Sequence, residues 1–366
     1  MKSKKEKILV STPYFLPYTN FGGGCKTIVN QYLHTFNDYD YTIFTRSYQK
    51  INTPRLNQKG IYYFKNYISL LTKAFLIDLK KFKRIQFNSF FSPFTFFMLA
   101  AFFFKKTEKK ILIFPRGELL QRNLAFKKRI YIKFINFYAF FKNISLVATS
   151  QIEYDQLSKI YKNINIMQCS DFLDVWNEEL KLNKFHIDKK KIKLIFISNF
   201  YPNKNIIFLI NIIKNLPINF VLDIYGNSSD QEYLSLIAKE IKNLDLTERV
   251  SLNKAVPNEK VIELFSKYNA FIFPTLSENF GYVVYESMRA GCIPIIANTT
   301  PWQFPCPDNG LIIDINKNAF YWSEQIIKFF KQDELVLKTI SENSKNYARF
   351  YYKNISAIRQ LNKIFS

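Results

Sequence analysis

The stretch that decides the fold class is Ala270–Asn298, with the sequence AFIFPTLSENFGYVVYESMRAGCIPIIAN. It predicts a buried strand up to Pro274, a polar loop, a helix that begins near Gly281, and a second strand after Gly291 has closed the helix. A strand, a helix and a strand in this order form a βαβ unit. Such units build parallel sheets, so the stretch favours the α/β class.

Two carboxylates lie in this unit, eight residues apart. Glu278 in the loop can accept hydrogen bonds from sugar hydroxyls, and Glu286 in the helix can bind both hydroxyls of a ribose. The backbone N–H groups of Asn279, Phe280 and Gly281 precede the amino end of the helix, where the partial positive charge favours a phosphate. The alternative is that both glutamates are solvated acids favoured by the helix dipole.

Short apolar runs alternate with longer amphipathic stretches along the whole chain, which is typical of parallel sheets with crossover helices. A chain of 366 residues exceeds what one core usually supports, so we expect two domains. The polar segment Asn177–Lys193 interrupts the pattern and predicts the boundary. The sequence thus predicts an α/β fold of two Rossmann-like, doubly wound domains. The predicted strands are Lys7–Ser11, Tyr41–Thr45, Ile85–Asn88, Lys110–Phe114 and Ser145–Thr149, then Leu194–Ser198, Phe220–Tyr225, Val250–Leu252, Ala270–Phe273 and Ile293–Ala297.

The chain is strongly basic, with 52 Lys and Arg against 29 Asp and Glu and a formal net charge of +23. A charge of this size attracts phosphate-rich partners, which include nucleotides, anionic lipids and nucleic acids. Charge alone does not choose among them. No nucleic-acid-binding motif is found in the sequence, so a nucleic-acid partner is not expected.

Metal, disulfide and export signals are not found in the sequence. The cysteines are scattered, with no C-x-x-C pair, and the two histidines lie far apart, so neither a zinc site nor a disulfide framework is predicted. These residues are Cys25, Cys169, Cys292 and Cys306, and His34 and His186. The basic start MKSKKEKILV leads into a short apolar run that predicts a first strand rather than a signal peptide, so a cytoplasmic protein is expected.

The most apolar stretch is Phe90–Phe104, FFSPFTFFMLAAFFF. Pro93 interrupts it, and it is shorter than the ~20 residues that a membrane-spanning helix needs. Two interpretations remain open. The stretch is either a buried helix followed by Lys105-Lys106, or an interfacial element that seats the protein on lipid.

The string E-N-F-G-x-x-x-x-E-S-M-x-A-G-x-x-P-I-I-A, which begins at Glu278, resembles the donor-binding signature of the large retaining glycosyltransferase family usually numbered four. The resemblance implies the GT-B architecture, with two domains that face each other across a cleft. It also implies that Glu278 orients the donor sugar, that Glu286 binds the ribose, and that the Phe280 and Gly281 amides stabilise developing charge.

Two further segments of the second half fit the same family. Ser198–Asn205, SNFYPNKN, resembles the S-R-L-x-P-x-K-N element, whose Arg and Lys clamp the donor diphosphate. Lys204 is retained here, whereas Asn199 stands at the Arg position. Leu222–Gly226 matches the strand that precedes the nucleotide-base region, and the resemblance places Gly226 beside the donor.

In the first half, the glycines at positions 22, 23 and 24 follow the first predicted strand and precede an amphipathic helix. A backbone without side chains can closely approach a diphosphate or an acceptor. A Gly-rich loop at this place borders the active site in the family, so Gly23 and Gly24 are candidate cleft residues. The alternative is a plain loop.

Pro115–Glu118, P-R-G-E, resembles an element of one branch of these enzymes. The resemblance implies that Arg116 and Glu118 face the cleft and contact the acceptor or the donor. The alternative is a strand-to-helix turn in which Glu118 is a helix-start acid. Many members carry a His near the position of Asn88, where it contacts the donor sugar, so Asn88 is also a candidate.

Taken as a whole, the resemblance implies a hexosyltransferase that moves a sugar from a UDP-, GDP- or ADP-sugar to a glycan or lipid-linked acceptor, in synthesis of cell-surface polysaccharide or lipopolysaccharide. Residues 1–180 would form the acceptor domain and 190–342 the donor domain, with a helix in 343–366 that crosses back. An anionic membrane surface is a further expected partner, which would place the enzyme on the inner face of the membrane.

No metal or other cofactor is expected, because Lys204 and the helix dipole can neutralise the leaving group. The string Asp38-Tyr39-Asp40 spells the D-x-D motif with which other glycosyltransferases hold a metal, but it is only three residues long.

Two other functions stay open. A non-catalytic nucleotide-sugar-binding subunit would account for Asn199 and Asn88, and a nucleic-acid-binding protein would account for the charge.

Overall fold

A computed structural model describes the chain at residues 5–16, 23–47, 60–105, 109–120, 125–177, 182–183, 185–354 and 357–365. The chain forms two compact units. Unit 1 comprises Met1–Val175 together with Ser356–Ser366, and unit 2 comprises Trp176–Ile355. Each unit is built on one parallel sheet with crossover helices, which confirms the predicted α/β class.

Unit 1 contains a seven-stranded sheet in the order β3-β2-β1-β4-β5-β6-β7, and every neighbouring pair is parallel. The order reverses between β1 and β4, and in open α/β sheets ligands bind at the carboxyl ends of strands at such a switch point. The elements are β1 (Glu6–Thr12), α1 (Gly23–Thr35), β2 (Tyr39–Arg46), β3 (Ile61–Phe64), α2 (Tyr67–Leu76), β4 (Arg84–Asn88), α3 (Pro93–Phe103), β5 (Ile111–Phe114), α4 (Phe126–Phe141), β6 (Ile144–Ala148), α5 (Gln151–Ile160) and β7 (Asn165–Gln168).

Unit 2 contains a six-stranded parallel sheet in the order β10-β9-β8-β11-β12-β13, and its order reverses between β8 and β11. The elements are β8 (Ile192–Ile197), α6 (Ile206–Asn215), β9 (Phe220–Gly226), α7 (Gln231–Asn243), β10 (Val250–Lys254), α8 (Asn258–Phe265), β11 (Ala270–Phe273), α9 (Tyr282–Arg289), β12 (Ile293–Ala297), β13 (Leu311–Ile313), α10 (Ala319–Phe330) and α11 (Glu334–Asn354).

Helices cover both faces of the unit 1 sheet, so its central strands are largely buried on both sides. One face packs against α2, α3, α4 and α5, and the other packs against α1. All residues of β5 and β6 are buried, as expected for a parallel sheet between two helical layers. The ten predicted strands are present, each within two residues of its predicted bounds.

The apolar stretch at residues 90–104 contains helix α3, which begins after the Ser92 cap. Its side chains Phe94, Met98, Leu99 and Phe102 are buried, so the buried-helix interpretation holds for the body of the stretch. Within the part of the chain that the structure describes, no helix is both long enough and apolar enough to cross a membrane.

A final helix, α12 (Ala357–Phe365), belongs to unit 1 although it follows all of unit 2 in the chain. Its side chains Leu361 and Ile364 pack into the cluster that contains Ile28 and Val29 of α1. The Gln360 side chain accepts a hydrogen bond of 2.7 Å from the Ser170 backbone N–H. The fold of unit 1 therefore depends on residues from both ends of the chain.

We expect Leu361→Ala to destabilise unit 1 by about 2–5 kcal/mol, because the leucine is fully buried and its loss leaves a cavity. Hydrogen exchange read by mass spectrometry should speed up in β1 and α1 and stay unchanged in unit 2. Leu335→Ala is the matched control, because Leu335 is 73% exposed. Equal effects of the two variants would contradict a core role for α12.

Candidate active site

The candidate site in unit 2 lies at the switch point of its sheet, where the loops that follow β8 and β11 meet. The Leu276 backbone N–H donates a hydrogen bond of 2.8 Å to the Asn203 carbonyl oxygen, and the Thr275 hydroxyl donates to the same oxygen at 3.1 Å. Asn205 donates from its side chain to the Pro274 carbonyl at 3.1 Å. These bonds hold the two loops together.

Lys204 and Glu278 come from these two loops and form an ion pair. The distance between Lys204 Nζ and Glu278 Oε2 is 2.6 Å, and their side chains are only 14% and 17% exposed. The ammonium group also lies 5.3 Å from the ring centroid of Phe273, the last residue of β11. The structure thus brings together the two residues that the sequence predicts to be catalytic.

Glu278 stands directly before the amino end of α9. Its Oε1 accepts a hydrogen bond of 3.1 Å from the Asn279 backbone N–H. Gly281 has φ 75°, and a Cβ atom there would lie 3.1 Å from the Glu278 side chain and 3.3 Å from Trp302 Nε1. The Trp302 indole donates to the Phe280 carbonyl at 2.6 Å, which fixes this turn. Glycine therefore allows the helix to begin beside the carboxylate.

Glu286 lies one turn into α9 and is only 6% exposed. Glu278 is also partly buried, so the alternative that both acids are solvated is contradicted.

Asn199 is exposed in the loop between β8 and Lys204. Gly226 is buried, and a Cβ atom there would lie 1.9 Å from the Ser198 carbonyl oxygen. The absence of a side chain at Gly226 therefore allows the end of β9 to pack closely against the loop that carries Lys204. The spacing of Gly226 in the sequence does not reveal this packing role.

In unit 1, the structure brings Arg116 and Asn88 together in a buried polar network. Arg116 Nη2 donates to Asn88 Oδ1 at 3.0 Å, and Arg116 forms an ion pair with Asp171. Thr27 of α1 also donates to Asp171, at 3.1 Å. Burial raises the pKa of Asp171, and the neighbouring Arg116 opposes that rise. Arg116 has φ 52°, a left-handed conformation that the network holds in place.

Glu118 has a structural use that sequence reasoning did not anticipate. Its carboxylate accepts hydrogen bonds from the backbone N–H groups of Phe90, at 3.2 Å, and Phe91, at 2.7 Å. Burial raises the pKa of Glu118, and these hydrogen bonds oppose the rise. Glu118 thus fixes the turn before α3 rather than lying free for a ligand, and a donor or acceptor contact stays a prediction for this residue.

Gly23 and Gly24 are the first residues of α1, and both are exposed. A Cβ atom on Gly24 would meet nothing within 4 Å, so packing within the protein does not require a glycine there. Gly22 lies outside the described residues.

The D-x-D string lies at the amino end of β2, where Asp40 pairs with Lys7 at 3.7 Å. That edge is opposite to the carboxyl ends of the strands. Across the described ranges, no group of three or more His, Cys, Asp or Glu side chains is arranged to hold a metal ion.

Sequence reasoning missed Asp171 and Thr27 because no local pattern links them to Arg116. Asp171 is 55 residues from Arg116, and Thr27 is 144 residues from Asp171. Only the three-dimensional fold shows that an arginine in a strand-end turn has a buried carboxylate partner.

Comparison with known proteins places this geometry in context. Residues 177–347 match the model of the family described as glycosyl transferases group 1, and this region lies within unit 2. The solved structure of HepE from Anabaena, in complex with UDP and glucose, superposes with a TM-score of 0.74 at 13% sequence identity, over 98% of each chain.

Two bacterial proteins have similar sequences. An uncharacterized 41.2 kDa protein in the cps region of Klebsiella pneumoniae is 26% identical over 297 residues, which cover 75% of this chain and 80% of that protein. The O-antigen chain mannosyltransferase RfbU of Salmonella typhimurium is 24% identical over 211 residues, which cover 58% of this chain and 54% of that protein.

These findings confirm two predictions. The chain has the GT-B fold, and it is a glycosyltransferase.

We expect Asp171→Ala to lower the free energy of unfolding by about 3–5 kcal/mol, because it leaves the Arg116 charge buried without its partner. Chemical denaturation followed by fluorescence measures this change. Asp40→Ala is the matched control. Asp40 pairs with Lys7 at 3.7 Å and the two side chains are 54% and 45% exposed, so a loss of about 1 kcal/mol or less is expected there. A small effect at both positions would show that the buried pair does not stabilise unit 1.

Proposed function

We propose that the enzyme transfers a hexose, with retention of anomeric configuration, from a nucleoside-diphosphate sugar to a glycan or lipid-linked acceptor during synthesis of a cell-surface polysaccharide. The observation that carries the proposal is the Lys204–Glu278 pair at the switch point of unit 2, beside the amino end of α9. The similarity to the O-antigen chain mannosyltransferase RfbU supports the cellular role. HepE, solved with UDP and glucose, makes UDP-glucose the first donor to test.

Each charged group of the site suits one part of such a donor. The Lys204 ammonium and the positive end of α9 can stabilise the negative charge that develops on the departing diphosphate. Glu278 can accept hydrogen bonds from the sugar hydroxyls, and Glu286 from the ribose. No metal is required in this scheme, because a cation and a helix dipole already face the leaving group.

The pairing of Lys204 with Glu278 has a consequence for binding order. A diphosphate that binds Lys204 competes with the Glu278 carboxylate for the same ammonium group. A sugar on that diphosphate gives Glu278 new donors in return. The site therefore binds a complete nucleotide sugar more favourably than it binds a nucleoside diphosphate alone.

Unit 1 is the proposed acceptor domain. Gly24 offers a backbone that a ligand can approach closely, and Asn88 and Arg116 lie at the carboxyl ends of β4 and β5. No side chain stands out in the sequence as a covalent nucleophile. We therefore propose that the acceptor hydroxyl attacks the sugar from the same face that the diphosphate leaves.

We expect one nucleotide sugar among UDP-, GDP- and ADP-sugars to raise the melting temperature of the protein, since a ligand at about 100 times its dissociation constant adds about 2.7 kcal/mol of stability. Glu286→Gln should reduce this shift, because the amide keeps only one of the two oxygens that accept hydrogen bonds from the ribose. Glu259→Gln, on the exposed surface of α8, is the control and should keep the shift. A protein that responds to no donor would overturn the proposal.

We expect Glu278→Gln to separate binding from turnover. Removing the carboxylate frees Lys204, so affinity for the nucleoside diphosphate alone should rise roughly three- to tenfold, in line with the strength of a charge-assisted hydrogen bond. Turnover should fall at least about tenfold, because the amide lacks the negative charge and keeps only one of the two acceptor oxygens that orient the sugar. Calorimetry and a nucleotide-release assay measure the two effects. Parallel losses in both would place Glu278 in a purely structural role.

One observation favours a second function. Asn199 lies in the same exposed loop as Lys204. In the glycosyltransferase family that the sequence resembles, this position is an arginine that clamps the diphosphate. A protein with one clamp cation instead of two could bind a nucleotide sugar without transferring it. The nucleotide-release assay separates the two functions, because a binding subunit would show the thermal shift but release no nucleotide.

A further inference from the structure

Three helices of unit 1 end at the same edge of its sheet. The strands β3, β4, β5 and β6 are parallel in space, so α2, α3 and α4 must each return the chain to the amino edge of the sheet. Two hydrogen bonds tie their ends together. Lys105 Nζ donates to the Ile77 carbonyl at 2.6 Å, and Lys142 Nζ donates to the Lys105 carbonyl at 2.6 Å.

Large apolar side chains project from these helix ends into solvent. Leu76 is 76% exposed, Phe104 79%, Phe140 78% and Phe141 60%. Phe141 rests on Phe103, with 5.7 Å between ring centroids, so the exposed rings continue directly into the core of unit 1. A cluster of exposed aromatic and aliphatic side chains is unusual on a soluble surface and marks an interaction site.

Lysines converge on the same edge. Lys5, Lys7, Lys80, Lys81, Lys83 and Lys109 line one pocket at the amino ends of β1, β4 and β5. Lys80 and Lys81 belong to a single turn of 3-10 helix that begins two residues after Ile77, next to the end of α2. The basic pocket and the apolar side chains therefore adjoin each other.

The carboxylates nearby are mostly committed to other contacts. Glu6 pairs with Lys83, and Asp40 pairs with Lys7 at 3.7 Å. Asp78 caps the turn that carries Lys80, accepting the Lys80 N–H at 3.0 Å. The lysines outnumber these acids, so the edge as a whole is positively charged.

We propose that this amino edge of unit 1 docks the enzyme on an anionic lipid bilayer. The apolar side chains would enter the headgroup region while the lysines contact the lipid phosphates, which is the arrangement of an interfacial anchor. A nucleic acid could neutralise the lysines, but it would leave Leu76 and the phenylalanines in water. The surface uses none of the residues assigned to the donor, and Asn88 and Arg116 lie at the opposite edge of the sheet.

The test is co-sedimentation of the full chain with phosphatidylcholine vesicles that contain or lack phosphatidylglycerol. Binding should require phosphatidylglycerol and weaken at high salt, because salt screens exposed charges. Lys80→Gln combined with Lys81→Gln should weaken binding roughly 30-fold, since each lysine near an anionic surface contributes about 1 kcal/mol. Phe104→Ser combined with Phe140→Ser should weaken it at least about tenfold.

Matched variants in unit 2 serve as controls. Lys190→Gln with Lys191→Gln removes an exposed lysine pair, and Ile218→Ser with Phe320→Ser removes apolar side chains that are 83% and 59% exposed. Neither control should change vesicle binding. The proposal would be overturned if vesicle binding did not depend on phosphatidylglycerol. It would also be overturned if both unit 1 double variants bound vesicles as well as the unchanged protein.

Two other occupants have distinct signatures that would also overturn it. Binding of duplex DNA, abolished by the lysine variant in the absence of vesicle binding, would assign the edge to nucleic acid. A dimer that the phenylalanine variant dissociates in size-exclusion chromatography, again without vesicle binding, would assign it to a second copy of this chain. The donor-dependent thermal shift is measured on the same proteins, so failure of bilayer docking and failure of the donor site are distinguishable.

Discussion

Every strand in both sheets runs parallel to its neighbours, and the arrangement of chemistry in this protein follows from that constraint. A parallel sheet requires each connection to cross back over a face, so all strand-to-helix loops collect at the carboxyl edge and all helix ends collect at the amino edge. The Lys204–Glu278 pair and the Arg116 network lie at carboxyl edges. The exposed phenylalanines and the lysine pocket lie at an amino edge.

The ion pairs at the two carboxyl edges differ in how deeply they are buried. In unit 2, Lys204 and Glu278 are less deeply buried than the pair in unit 1, so an incoming ligand can exchange partners with them at lower cost. In unit 1, the Arg116 and Asp171 side chains are only 8% and 5% exposed, and breaking their pair would leave a buried charge. The first arrangement suits an exchange of ligands. The second suits a rigid wall that holds Asn88 and the turn at Arg116 in fixed positions.

The sequence predicted the elements with continuous buried apolar runs, such as β11 and β12, at their observed bounds. It missed β3, β7 and β13, which are sheet-edge strands of three or four residues and therefore lack a long apolar run. The candidate donor residues were predictable because they follow one another along a short motif. The partners of Arg116 and the backbone contacts of Glu118 were not, since they join segments that are far apart in the chain.

Because α12 follows unit 2 in the chain, the two units are completed in a different order from the one in which their synthesis begins. Unit 2 is continuous in sequence, so its sheet and helices can be completed as the ribosome moves along the message. Unit 1 lacks the helix that covers Ile28 and Val29 until about 180 further residues have been made, which takes roughly 10–35 s at typical elongation rates. Over that interval the apolar side of α1 that α12 covers stays open to water or to a chaperone, although the corresponding part of the chain left the ribosome first.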